Sequence, residues 1–345
     1  MNDAVVNGGP SHGTIDAVEL KALGREAGLD AVGIAAAEPF LDTRRHLHER
    51  RAAGLHGGMS FTYRNPERST DPGRALADAK TIVVGARSYP PPPSTHGAAR
   101  VAAYASDDHY GALRSALEAV AGHLRADGWH ARVLVDDNAL VDREAAYRAG
   151  LGWYGKSTNL LLPGQGSWFV LGSVLTTAPL AVDDGPIEDG CGSCRRCIDG
   201  CPTGAIVAPG IVDARRCLAW LLQARGDFPM DFRVALGDRI YGCDECQEVC
   251  PPNRRAAGTT ASSDGVDIIE LLSSDDETLL ARHGRWYIPD REPRYLRRNA
   301  LVVLGNTATP HDEAAMNTID RYLVDPDPML RSHAAWAADR IATRA

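Results

Sequence analysis

The sequence predicts an α+β chain of three parts: an α/β domain, a cysteine-bearing segment and a C-terminal helical module. Three observations predict it. Strand-like and helix-like stretches alternate from residue 14 to about 184. All eight cysteines fall between Cys191 and Cys250, where regular periodicity is weak. From Ile268 onward, apolar–polar helical patterns return. The expected parts are therefore 14–184, 185–258 and 259–345.

TIDAVELKALGREAGLD reads as an amphipathic helix, with Thr14 as N-cap, Leu20, Leu23 and Ala27 on one face and Gly28 as the stop. AVGIA follows as a short buried strand. KTIVVGARSYPPPP gives a second strand from about Ile82, broken by the run Pro90–Pro93. GALRSALEAVAGHLRADG is a helix, HARVLVD a strand, NALVDREAAYRAG a helix ending at Gly150, and SWFVLGSVLTT a further strand. RRNALVVLGNTA and DPMLRSHAAWAADRIATRA, about thirty residues apart, read as helix-pair repeats of the HEAT type.

The 345 residues are 44% hydrophobic and 24% charged, ordinary for a globular protein and enough for two or three cores. No stretch approaches 18 uninterrupted apolar residues, so no transmembrane helix is expected. MNDAVVNGGPSHG has no basic start, apolar run or twin arginine. It reads as a loose leader on a cytoplasmic protein. A net charge of −8 argues against non-specific coating of nucleic acid and leaves room for a local basic patch that docks one RNA. In a reducing cytosol the cysteines are not expected to form disulfides.

The first cysteine run is Cys191-x2-Cys194-x2-Cys197-x3-Cys201-Pro202, the ferredoxin spacing in which the fourth cysteine serves the other cluster. The second, Cys243-x2-Cys246-x3-Cys250-Pro251, would match it if residue 240 were cysteine, but that residue is Ile240. Cys217 can supply the missing ligand. Crossing the runs gives one 4Fe–4S cluster on Cys191, Cys194, Cys197 and Cys250, and another on Cys201, Cys217, Cys243 and Cys246. Two structural zinc sites are the alternative, since C-x2-C pairs also suit tetrahedral zinc. Zinc has no need of the long run or its near repeat. Paired clusters point to single-electron relay.

GLGWYGKS, Gly150 to Ser157, satisfies the Walker A string, yet the order is reversed: a helix feeds it and an apolar strand follows. Phosphate binding needs a strand before and a helix after, so a P-loop is not expected. The glycines instead read as places where backbone approaches a large ligand closely, with Lys156 near a polar edge.

Together, VDDNALVDREAAYRAGLGWYGKSTNLLL, CGSCRRCIDGCPTGAI, RIYGCDECQEVCP and RRNALVVLGN resemble the epoxyqueuosine reductases, in order and over about residues 16–341. The resemblance implies a cobalamin-binding N-terminal domain, a ferredoxin-like two-cluster domain and a HEAT-like tRNA-binding module. It implies reduction of epoxyqueuosine to queuosine at the tRNA wobble position, the epoxide oxygen leaving as water. The partners would be a tRNA anticodon stem-loop and an external low-potential electron donor, and the chain would act as a monomer. Asp136 would bind beside the corrin and donate the proton, which requires a carboxyl raised by burial. Asp137 is the alternative acid. Arg68, Lys156, Leu160, Ser167 and Leu171 would be the remaining cofactor-binding positions. In DDHYG, His109 and Tyr110 stand in reversed order, and neither carries a role. Arg285, Arg291, Arg294, Arg297 and Arg298, interleaved with Trp286, Tyr287 and Tyr295, suit phosphate contact and base stacking on an unpaired loop; Arg143 is a further tRNA candidate. A cytoplasmic reductive dehalogenase-like enzyme and a two-cluster electron carrier are the alternatives. The basic tail argues against the first, and the roughly 180 residues before the clusters argue against the second.

Overall fold

The structure, a computed structural model, describes residues 15–90, 98–256 and 265–344. Thr14, the leader, Pro91–Pro93 and the expected 258/259 boundary lie outside the described residues. The first helix, α1 (Ala17–Glu26), starts after Asp16, whose carboxylate accepts the Val18 N–H at 2.6 Å. A capping aspartate two residues beyond Thr14 therefore sets its start. Gly28 ends the turn at φ +103°, where a side chain would be strained.

Four strands make the main sheet: β1 (Ala31–Ala36), β2 (Thr81–Ser88), β3 (Ala131–Val135) and β4 (Phe169–Thr176). Their order is β1-β2-β4-β3, and every pairing is antiparallel, with Ala86 opposite Leu171 and Val135 opposite Gly172. Helix α1 and α2 (His109–Ala126) bury Leu20, Leu113, Leu117 and Leu124 against one face. Helix α3 (Asp142–Arg148) and its approach bury Leu140, Ala145 and Ala146 against the other, with Ile82 and Leu175. Both faces are covered, which is why β2 and β4 read as continuous apolar runs. Helix α3 is shorter than NALVDREAAYRAG predicts. Asp137 accepts the Ala139 N–H at 2.8 Å, and this turn holds Asn138–Leu140 out of the helix.

The C-terminal helices α4 (Arg294–Thr307), α5 (Glu313–Leu323) and α6 (Pro328–Ala342) share one core with Leu218, Leu221, Phe228, Leu236 and Ile240 of the cysteine segment. A division at 258/259 thus does not separate two cores. Ile240 is fully buried there, in the strand Arg239–Tyr241, so position 240 is a packing position and no cysteine is lost from a metal site.

Arg298 is the joint between these layers. It has no solvent exposure, and its guanidinium donates to the carbonyls of Leu221, Leu222, Ala224 and Gly226. It cannot contact tRNA, contrary to the sequence expectation. Arg298→Leu should destabilise the protein by about 3 kcal/mol or more, because several buried carbonyls lose their donor. Urea unfolding measures this; an unchanged midpoint would contradict the joint.

Candidate active site and metal centres

Cys191, Cys194, Cys197 and Cys250 line one open cavity, with Lys156, Leu161 and Arg196 on its wall. A short helix, Arg196–Asp199, carries Cys197, and the following residues take Cys201 away from that cavity. The Cys201 sulfur accepts the Ala205 N–H at 3.2 Å. Burial pushes Cys243 up to about 12, with Cys217 and Cys201 among the neighbours that raise it further. Burial likewise raises Cys246, with Cys243 and Cys217 next, while Cys250 is pushed up to about 11 beside Cys191, Cys197 and Cys194. Cys250 thus lies near Cys191, Cys194 and Cys197, and Cys201, Cys217, Cys243 and Cys246 lie near one another, with Cys197 also close to Cys246.

Crowded, buried thiols of this kind become stable thiolates only when a metal takes the charge. Among the described residues no three His, Cys, Asp or Glu side chains converge tightly enough to chelate a single ion. Four thiols around an open cavity fit a multi-atom cluster better than one zinc.

Strand β3 ends at Val135. Its last carbonyl, Val135, accepts from Arg114 at 2.7 Å. Asp136 follows at φ +50°, a left-handed conformation that aspartate tolerates better than most residues. Its side chain is solvent-accessible at the rim, yet surrounding protein withdraws enough water to raise its pKa. Arg114 opposes that rise and Asp137 adds to it. No hydrogen bond or ion pair engages the Asp136 carboxyl among the described residues. Asp137 is committed, capping Ala139 and lying 3.9 Å from both Arg68 and Arg132. Of the two aspartates, Asp136 is the one free to act as an acid.

Asp142, at the start of α3, has a buried Oδ1 with no partner among the described residues. Burial first, then Asp136, raises its carboxyl well above the usual range. Burial also raises the Tyr110 phenol, again with Asp136 and Asp142 as neighbours. His109 stacks on Tyr89 at 5.1 Å, and its Nε2 is buried without a partner. Exposed Arg143 is the cation nearby, lowering the pKa of Asp142, Tyr89 and Tyr110. Unsatisfied buried polar atoms in a cleft wall fit a site completed by a bound polar molecule.

The segment 190–253 matches a family model described as a 4Fe-4S double cluster binding domain. The epoxyqueuosine reductase of Bacillus anthracis is 33% identical over 340 residues, spanning 94% of this chain and 88% of that one. The chain belongs to the epoxyqueuosine reductase family. A crystal structure of an epoxyqueuosine reductase with an epoxyqueuosine-modified tRNA-Tyr stem loop superposes with a TM-score of 0.83 at 31% identity. It covers 94% of this chain and 89% of that one. The epoxyqueuosine reductase of Bacillus subtilis, solved with its catalytic aspartate loop swung out of the active site, gives 0.82 at 30% identity. It covers 94% of this chain and 90% of that one.

Several positions expected from the epoxyqueuosine reductase resemblance have other work in this chain. Ser167 is buried, and both its N–H and its hydroxyl are tied to Asn253, so it is not free for a cofactor. Leu160 and Leu171 are 2% and 8% exposed and pack in the core with Phe169 and Leu140. Lys156 faces the cysteines, donating to the carbonyls of Gly192 at 2.6 Å and Cys194 at 2.9 Å. Arg68 donates to Asn138 Oδ1 at 2.9 Å, bracing the turn that carries Asp136. The glycine string at 150–157 turns from α3 into a hairpin, Trp153–Tyr154 with Leu160–Leu161, as expected of a segment that is not a P-loop. At Gly150 the close approach is to backbone: a Cβ there would lie 2.7 Å from the Gly185 carbonyl.

The arginine-rich segment divides the same way. Arg285 is exposed beside Tyr287, which is 53% exposed. Arg294 pairs with Asp327 at 3.0 Å and Arg297 pairs with Asp276. Trp286 is buried against Tyr241 at 4.6 Å, and Tyr295 is buried as well. Of this segment Arg285 and Tyr287 are exposed, Arg291 is exposed and donates to the Gly284 carbonyl at 2.6 Å, Arg294 and Arg297 are paired with carboxylates, and Arg298 is buried.

Proposed function

We propose that this chain reduces epoxyqueuosine in the anticodon loop of tRNA to queuosine. The single observation that carries the mechanism is Asp136: a carboxyl with no hydrogen bond or ion pair among the described residues, held at φ +50° at the end of β3 and raised by its surroundings. Cys191, Cys194, Cys197 and Cys250 would hold one 4Fe–4S cluster and Cys201, Cys217, Cys243 and Cys246 the other. Cobalamin would be held in the N-terminal domain at the Asp136 cleft, with Arg68 at its edge. Bound there, it would supply the strongly reducing centre, and the clusters would bring electrons one at a time from an external low-potential donor.

The balance is two electrons and two protons per epoxide. Both C–O bonds break, a carbon–carbon double bond forms, and the oxygen leaves as water. Asp136 protonates the departing oxygen and recovers its proton from solvent at the rim. Burial raises the Asp142 carboxyl and the Tyr110 phenol beside it, which disfavours a second negative charge there. The Bacillus subtilis relative was solved with its catalytic aspartate loop swung out of the active site; the loop bearing Asp136 would move in the same way, its acid closing on bound substrate.

Arg143 and Arg285, both exposed and without a carboxylate partner among the described residues, would meet phosphate. Arg143→Ala and Arg285→Ala should each weaken stem-loop binding and reduce its salt slope by about one. Arg297→Ala should leave that slope unchanged, as fluorescence titrations at several ionic strengths would show. No helix of the described residues is long and apolar enough to cross a membrane, and the reading is of a cytoplasmic monomer. It is tested in cells lacking their own epoxyqueuosine reductase. Expression of this chain should convert the epoxyqueuosine of their tRNA to queuosine; persistent epoxyqueuosine beside soluble, iron-loaded protein would contradict it.

A further inference from the structure

We propose that Lys156 raises the reduction potential of the cluster held by Cys191, Cys194, Cys197 and Cys250, and of that cluster alone. The inference rests on the cluster assignment above. Lys156 follows the short strand Trp153–Tyr154 of the N-terminal domain and crosses to the cysteine loop. Its ammonium is fixed there by the Gly192 and Cys194 carbonyls, at 2.6 and 2.9 Å, and it lines the same cavity as the four thiols. Among the described residues no carboxylate pairs with it. The nearest carboxylates of the loop have other duties: Asp189 caps the Cys191 N–H at 2.8 Å, and Asp199 pairs with Arg195.

The second thiol set is surrounded differently. Arg239 beside Cys243 is itself paired with Glu245, and Arg100 spans Asp238, Glu245 and Glu248. These two arginines are neutralised locally, and the cation felt by Cys217 is Arg143 of the N-terminal domain. A cluster ligated by four thiolates is anionic and gains a further negative charge on reduction, so an uncompensated cation beside it favours the reduced state. Lysine acts here as a point charge whose place is set by two backbone acceptors.

The test is a redox titration of the iron- and cobalamin-loaded protein followed by electron paramagnetic resonance, with Cys250→Ala identifying which signal belongs to which cluster. In Lys156→Gln, one cluster should become at least tenfold harder to reduce, about 59 mV for a one-electron couple. Lys156→Arg should stay near the native potential, and the second cluster should not move in either variant. An unchanged potential in Lys156→Gln, or an equal shift of both clusters, would overturn the proposal. Loss of iron from Lys156→Gln would also overturn it, making the lysine a brace for the loop. Native protein that binds zinc, or only one cluster, would instead defeat the cluster assignment.

Discussion

Asp136→Asn is expected to lower single-turnover reduction of the epoxide by about two to four orders of magnitude, the usual contribution of a positioned general acid. Iron content and stem-loop affinity should stay native, because the Asp136 carboxyl takes part in no hydrogen bond or ion pair among the described residues. The pH dependence has a definite sign. The protonated carboxyl is the active form, so the rate holds at low pH and falls as pH rises through the Asp136 pKa. That pKa is raised by burial, so the fall comes above the ordinary carboxylate range. Asp136→Asn should lack this limb. Asp137→Asn should act differently: it loosens the turn that caps Ala139 and the contacts to Arg68 and Arg132. Its rate should drop less and keep the pH limb. Equal losses in the two variants would contradict the assignment of the acid.

Single cysteine replacements carry the next largest effect. Cys250→Ala and Cys191→Ala should each remove the same paramagnetic signal and lower the iron from about eight to about four per chain. Cys201→Ala and Cys217→Ala should remove the other signal. Multiple turnover should stop in all four, since electrons must pass through both clusters in this account. If Cys201→Ala and Cys191→Ala abolish one common signal, the ligands do not cross and each run builds its own centre.

The cysteine arrangement was legible because ligand spacing is local: three thiols two residues apart, then a fourth ahead of proline, is itself a geometric statement. Cys217 followed by count, and Ile240 is explained by the core it fills. The strands were legible because both sheet faces are covered, which leaves unbroken apolar runs. Partner choice was not legible. Arg298 and Arg285 lie in one basic stretch, yet helix packing buries the first under the carbonyls of residues 221–226 and leaves the second in solvent. The contacts of Ser167 and Lys156 were not legible for the same reason, since their partners, Asn253 and the Gly192–Cys194 loop, are distant in sequence. Asp142 and Tyr110 gave little signal because what marks them is burial beside Asp136. The helix read from NALVDREAAYRAG did contain Asp142, and an acidic residue opening a helix is read by default as a partner for its N-terminal dipole.

The central claim is reductive removal of the epoxide oxygen. It is tested most directly by incubating anaerobically reconstituted, cobalamin-loaded protein with an epoxyqueuosine-bearing anticodon stem-loop and a low-potential reductant, then weighing the released nucleoside. The account predicts a product lighter by one oxygen, two reducing equivalents consumed for each, and no product with Asp136→Asn in the same time. Recovery of unchanged epoxyqueuosine from protein that carries about eight irons and bound corrinoid would contradict it.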